Sequence, residues 1–337
     1  MGGDVGPSVT VAALLASLRK NPVASALLFG DRPRLVAELR GCKDLLVLNR
    51  IEVRHCDLAV LDEDKPSSVL RHKQTSSMSL AIKAVADGEA MACVSSGNTG
   101  ALMALGMAHL KTLPGIARPA ICGTFPTARG RSYVLDLGAN LDCSPKQLAQ
   151  FALLGSLTVT ALEGIDEPTV RLLNVGAEQN KGGRALGLTE RLLANEPLLN
   201  YQGFVEGDGI FNGDADVVVC DGFSGNVALK ASEGVARLIK VMAKELFATS
   251  WLTRFAAMLL RGPFSRLQFK LDPSSYNGAY LLGLNGVVVK SHGGATEAGF
   301  TQALDVTIEA AKHKLPSLLL PILKQKLVSD KKKVPYE

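Results

Sequence analysis

Asp221-Gly222-Phe223-Ser224-Gly225-Asn226-Val227-Ala228-Leu229-Lys230 is the stretch where an apolar run ends in a polar glycine turn and a long helix opens. The run before it, Val217-Val218-Val219-Cys220, is short and β-branched, the composition of a strand buried on both faces. Beyond the turn, Val227, Ala231, Val235, Leu238, Met242 and Leu246 recur at helical spacing. A strand that feeds a helix in this way aims the first helical amides back at the turn, and such an N-terminus accommodates an anion. Asn226 and Lys230 are four residues apart, so they stack on one flank, and helical side chains lean toward the N-terminus. The competing reading is a helix cap followed by a solvated lysine.

Outward from this stretch the pattern repeats. The apolar run 91–94 ends in Ser95-Ser96-Gly97-Asn98-Thr99-Gly100, and 133–137 ends in Gly138-Ala139-Asn140-Leu141-Asp142-Cys143. The run 170–175 meets Gly176-Ala177-Glu178-Gln179-Asn180-Lys181-Gly182-Gly183, and 287–289 meets Lys290-Ser291-His292-Gly293-Gly294-Ala295. Toward the N-terminus, apolar runs over 24–29 and 45–53 flank a helical pattern over 33–40, which indicates β-α-β units and an α/β fold. In a parallel sheet all carboxyl ends share one edge, so these exits are expected to form one polar cleft. Helix capping and tight turns alone are the alternative. His292 is the histidine placed in a glycine turn at a strand exit, where it either touches substrate or is structural.

The first residues, 1–7, carry Gly2, Gly3 and Asp4 in a glycine loop, and a helix is expected from Pro7. No strand delivers the chain to that loop, so the start reads as clipped. Polar residues 62–77 read as an ordered loop or lobe connection. Gly207-Asp208-Gly209 with Gly213 imitates a dinucleotide fingerprint, but the spacing is wrong and a turn is expected. A nucleotide-binding G-x-x-x-x-G-K-[ST] loop is absent.

Composition narrows the class. A chain of 337 residues buries a sizeable core without staples, and is read as a single α/β domain over 1–337. Its six cysteines form no C-x-x-C pair and read as reduced core residues, and its five histidines show no metal-ligand spacing, so no metal is expected. A mild net charge of +5 with only 5% aromatic residues disfavours a nucleic-acid partner. No apolar run reaches the ~18 uncharged residues of a membrane span, so a cytoplasmic location is expected.

Residues 247–271 differ in kind. They contain Arg254, Arg261, Arg266 and Lys270 and no acid. Phe247, Trp251, Phe255, Met258 and Leu259 share one arc of a helical wheel with Arg254 and Arg261 at its border, until Gly262-Pro263 breaks the helix. The expectation is a protruding amphipathic helical hairpin on an anionic membrane surface; packing on the core or on a dimer partner is the alternative.

The succession MGGDVGPS, SSGNTGA, LDLGANLDC, NVGAEQNKGG, DGFSGNVALK and YNGAYLLGLNGVVVKSHGGA resembles the phosphate acyltransferase (PlsX) family of bacterial phospholipid synthesis, in matching order from residue 1 to about residue 313. The resemblance implies a Rossmann-like three-layer α/β/α sandwich related to the isocitrate dehydrogenase-like and phosphotransacetylase-like group. It also implies transfer of a fatty acyl group from acyl carrier protein to inorganic phosphate, giving acyl phosphate for a membrane glycerol-3-phosphate acyltransferase. A homodimer attached peripherally to the membrane, with no cofactor, is implied as well. Members carry a strand and an aspartate before the first glycine loop, so that strand is expected to be missing here. Under this resemblance Lys230, Asn226, His292 and Lys181 are the expected catalytic residues. Phosphate and substrate would meet Gly2, Gly3, Asp4, Gly97, Asn98, Thr99, Gly100, Gly138, Asn140, Asp142, Asp221, Gly222, Gly225 and Gly293. Trp251, Arg254, Phe255, Met258, Leu259 and Arg261 would contact the membrane. Phosphotransacetylase-type transfer from acyl-CoA, and a non-catalytic nucleotide-binding scaffold at the membrane, are the alternative functions.

Overall fold

The computed structural model describes residues 2–178, 181–248, 262 and 272–333. Helix α1 (Gly6–Lys20) opens the chain with Pro7 in its first turn. It is followed by β1 (Ala26–Gly30), α2 (Arg32–Leu39), α3 (Leu45–Leu48) and β2 (Ile51–His55). The strand expected over 45–53 is thus a helical turn and then a strand. Asp44 decides this, because its carboxylate accepts from the Val47 N–H, and Arg50 fixes the turn by donating to the carbonyls of Leu18, Asn21 and Ala24. β1 and β2 form a separate parallel pair, covered by Val11, Leu14, Leu15 and Leu18 of α1.

The polar stretch 62–77 holds α4 (Pro66–His72), and α5 (Ser77–Ala86) leads into β3 (Ala92–Ser95) and α6 (Thr99–Leu110). Next come β4 (Ala120–Thr127), β5 (Gly130–Leu135), α7 (Pro145–Glu163), β6 (Thr169–Leu173), α8 (Arg184–Ala194) and β7 (Asn200–Val205). The turn expected near Gly207 contains the single-turn helix α9 (Gly209–Asn212), ahead of β8 (Val217–Val219) and α10 (Gly222–Ala248). β9 (Ala279–Leu282), β10 (Val287–Lys290), α11 (Glu297–Lys312) and α12 (Leu315–Lys333) complete the described chain. Among the described residues, no helix is long and apolar enough to cross a membrane.

The main sheet runs β3-β10-β9-β4-β5-β8-β6-β7. Successive side chains of each strand enter opposite cores. Tyr133, Leu135, Val217 and Val219 join Phe151 and Leu154 of α7 on one face, with α8, α11 and α12. Val134 and Val218 join Ile82, Leu102 and Leu105 on the other, where α4, α5, α6, α9 and the start of α10 lie. The result is the expected three-layer α/β/α sandwich. Each fully buried leucine of these layers contributes roughly 1.5–3 kcal/mol by leaving water.

One expectation is corrected. β4 is antiparallel to both β5 and β9, and β9 is antiparallel to β10, so the sheet is mixed. β3 and β10 run one way, while β5, β8, β6 and β7 run the other. The cause is the tight β4–β5 hairpin, where Thr127 pairs with Gly130 and the chain reverses. The strand exits therefore form two groups at opposite ends of the sheet rather than one shared edge.

Candidate functional site

The first exit group is organised by Asp136. Its buried carboxylate accepts from the backbone N–H groups of Ile121, Ala139 and Asn140 and from Asn140 Nδ2, at 2.6–3.2 Å. Burial raises the carboxyl above the usual range, and these donors pull it back. All four contacts are donors, so the ionised form is the one the site fits. The loop held this way receives α10. The Gly222 N–H donates to the Asn140 carbonyl, and the Ser224 N–H to Asp221 Oδ1. These amides, offered by the sequence to an anion, are satisfied by the protein itself, so Asp221 acts as a helix cap. Gly225 lets the helix sit against the loop: a Cβ there would lie 3.0 Å from the Asp136 carbonyl carbon, with the oxygen nearer still.

From this anchor α10 runs along the sheet toward the other exit group. Ala228 and Leu229 pack on the core containing Val218 and Val288. The opposite flank presents Asn226 beside Gly138, then Lys230 beside His292. Asn226 is exposed. Lys230 Nζ lies 3.4 Å from His292 Nε2 and 3.1 Å from Glu233 Oε2. The Gly294 N–H donates to His292 Nδ1 at 3.1 Å, so the neutral ring carries its proton on Nε2. Two donors then face each other across 3.4 Å. An acceptor from outside, such as a phosphate oxygen, completes that arrangement.

Around this pair the second exit group closes in. The Asp4 N–H donates to the Gly293 carbonyl at 3.3 Å, and a Cβ on Gly293 would lie 2.8 Å from Asp4 Oδ2. Gly3 packs on Ser96, and Gly97 on the Gly2 carbonyl. Asn277 holds the turn by accepting from the His292 N–H while donating to Ser291 Oγ and the Gly299 carbonyl. Gly2, Gly3, Asp4, Gly97, His292, Gly293 and Lys230 are therefore brought together, with Asn226 one turn along the helix.

Other expected residues lie elsewhere. Asn98 caps α6 through Oδ1 and spends its Nδ2 on the carbonyls of Leu61, Asp62 and Asp64, beside Thr99 and Gly100 in the first turn. Asn140 is consumed by Asp136, the Pro119 carbonyl and Arg118 Nε. Asp142 belongs to that same exit, at the far end of the sheet from His292. Lys181 follows the β6 exit and pairs with Glu178 at 3.0 Å. Trp251, Arg254, Phe255, Met258, Leu259 and Arg261 lie outside the described residues, as does most of the amphipathic hairpin.

Sequence reasoning named no role for Asp136, Asn277 or Lys290. Lys290 is partly buried, and its ammonium donates to the carbonyls of Ser96, at 3.3 Å, and Ser291. Its pKa is lowered to about 8, by burial first and by Lys230 in smaller part, against Asp62 and Asp4, which raise it. A lysine closing a β-branched strand was the available signal. At the Asp136 exit, burial pushes the Cys143 thiol up to about 12 and Cys220 well above its ordinary value, which disfavours the thiolate at both.

The structure is similar to the EutD phosphotransacetylase from Staphylococcus aureus, with a TM-score of 0.52, 17% identity and coverage of 89% of this chain and 99% of that one. It is also similar to a branched-chain phosphotransacylase from Enterococcus faecalis V583, with a TM-score of 0.56, 14% identity and coverage of 93% and 97%. The fold is thus the phosphotransacetylase-like α/β sandwich. Residues 1–318 match the family model described as fatty acid synthesis protein. A phosphate acyltransferase of Legionella pneumophila (strain Paris) is 46% identical over 319 residues, 95% of this chain and 93% of that protein. One from Nitrosococcus oceani is 48% identical over 319 residues, 94% and 92%. The chain belongs to the phosphate acyltransferase family, and its activity is acyl transfer to phosphate.

Proposed function

We propose that the enzyme takes a fatty acyl group from the thioester of acyl carrier protein and delivers it to inorganic phosphate, releasing acyl phosphate for phospholipid synthesis. The observation that carries this reading is the donor pair of Lys230 Nζ and His292 Nε2, with Asn226 at its flank. Phosphate held there is itself the nucleophile. One of its oxygens attacks the thioester carbonyl, the C–S bond breaks, and the proton carried by the hydrogen phosphate ends on the departing thiolate, while Lys230 Nζ and His292 Nε2–H donate to the phosphate oxygens. Asn226 supplies a donor for the oxyanion formed during attack. A thioester is already activated, so the exchange needs no nucleotide. The test is phosphate-dependent consumption of acyl-acyl carrier protein by the purified protein, with acyl-CoA in a parallel arm. Thioester loss in neither arm refutes acyl transfer; loss with acyl-CoA alone replaces the donor.

The same reading includes a second copy of the chain. The apolar stripe of α10 was legible as periodicity, yet Val235, Leu238, Val241, Met242 and Leu246 are all more than half exposed. An apolar face of this length is characteristic of an interface. Sedimentation equilibrium should give a dimer that Leu238→Glu weakens; a wild-type monomer refutes it. Attachment of 247–271 to an anionic membrane remains part of the proposal and is tested by liposome sedimentation of Trp251→Glu, where unchanged binding would count against it.

A further inference from the structure

Lys290 lies on the strand that delivers His292, and strand alternation fixes which way it faces. Val287 and Val289 enter one core and Val288 the other, so Lys290 repeats the side of Val288, the face covered by α10. Its ammonium ties the β3 and β10 exits together through the Ser96 and Ser291 carbonyls, which uses two of its three hydrogens. It forms no ion pair among the described residues. The charged groups around it are Asp4 from the N-terminal loop, Asp62 from the loop before α4 and Lys230 from α10, with His292 two residues on along its own exit. A partly buried cation without a paired carboxylate among the described residues, next to two further donors, is an electrostatic arrangement that an incoming anion completes.

We propose that Lys290 is the partly buried counter-charge of the phosphate site, a positioning residue whose protonation and the binding of phosphate favour each other. This rests on the reading of Lys230 and His292 as the phosphate site. Burial and Lys230 hold the ammonium near pH 8, inside the working range, and a phosphate beside Lys230 supplies the negative field that restores the proton. Reciprocity then requires protonated Lys290 to tighten phosphate by the same factor. A lysine that only fastened two loops would affect folding and turnover without this coupling.

The test is the pH dependence of the phosphate KM and kcat, joined to calorimetric titration of inorganic phosphate at pH 8 in two buffers of different ionisation heat. The KM should rise about tenfold between pH 7 and pH 10 while kcat changes less, a coupling in the usual range. Lys290→Met should raise the KM about tenfold at pH 7 and flatten its pH profile. Lys290→Arg stays charged, so it should keep tight binding at pH 10 and take up about half a proton less than wild type on binding at pH 8. If Lys290→Met does not fold, the Lys290→Arg profile decides. Wild-type turnover with Lys290 variants that keep its KM and pH profile overturns this inference alone. A wild type that neither binds nor uses phosphate overturns the phosphate reading and this inference with it.

Discussion

Replacing Gly225 by alanine tests whether α10 positions the site. The added Cβ would stand 3.0 Å from the Asp136 carbonyl carbon and 2.9 Å from Cys220 Sγ, and closer still to the Asp136 oxygen. Ordinary contact of ~3.5–4.0 Å with that oxygen is regained only if the first turn of the helix retreats by about 1.5–2 Å. Asp136 cannot yield, since its side chain accepts four hydrogen bonds from the strand and loop it belongs to. Overpacking of this kind costs about 1–3 kcal/mol. Asn226 and Lys230 move with the turn, and a misplacement of about 1 Å lowers kcat/KM roughly a hundredfold. Gly234→Ala is the control, because a Cβ there meets nothing within 4 Å. That variant should keep wild-type activity and gain about 0.5–1 kcal/mol from helix propensity. Urea unfolding and phosphate-dependent thioester consumption read both variants. Wild-type stability and activity in Gly225→Ala would show that the contact with Asp136 does not set the position of the helix.

Further outcomes follow from other contacts. Lys230→Ala and Asn226→Ala should each lower kcat about a hundredfold with an unchanged circular dichroism spectrum, as loss of an oxyanion donor does; wild-type rates would return both to a surface role. Asp136→Asn turns one acceptor oxygen into a donor facing two N–H groups and should cost about 3–5 kcal/mol in urea unfolding, with less than about 1 kcal/mol counting against the ionised form. Asn98→Ala removes the cap of α6 and the tie to 61–64, for a loss of about 1–2 kcal/mol by the same measurement. Lys290 is depressed in the folded state from 10.5 to about 8, so between those values the unfolded chain binds more protons and this contribution to stability rises with pH. The wild type should therefore gain up to about 3 kcal/mol on Lys290→Met from about pH 8 to about pH 10.5, and parallel curves would refute the partly buried charge.

The glycine exits were legible because each is a local signal, an apolar run followed by Gly, Asn and a helix. Their directions were not, because direction is set by the β4–β5 hairpin, and β4 mixes Gly123, Thr124 and Pro126 into its apolar run. α7 was hidden for the opposite reason. Phe151, Ala152, Leu153 and Leu154 are all buried in succession, which blurs helical periodicity, and its usable mark was the Ser144–Gln147 capping box. Asn98 and Asn140 have the composition expected of ligand donors, and only three-dimensional partners reveal that their amides are already committed. Lys290 escaped notice because a lysine after three valines reads as a strand end until its burial is known.

The path of α10 between the two exit groups makes it a ruler. Its anchor at Asp136 and its reading point at His292 belong to oppositely directed halves of the sheet, and the interval between them is counted in residues of one unbroken helix. One residue inserted between Asn226 and Lys230 would turn everything downstream by about 100° and shift it by ~1.5 Å, carrying the lysine off His292 without disturbing either half. The site is thus specified by helical phase, fixed by the count of residues from Gly225 to Lys230.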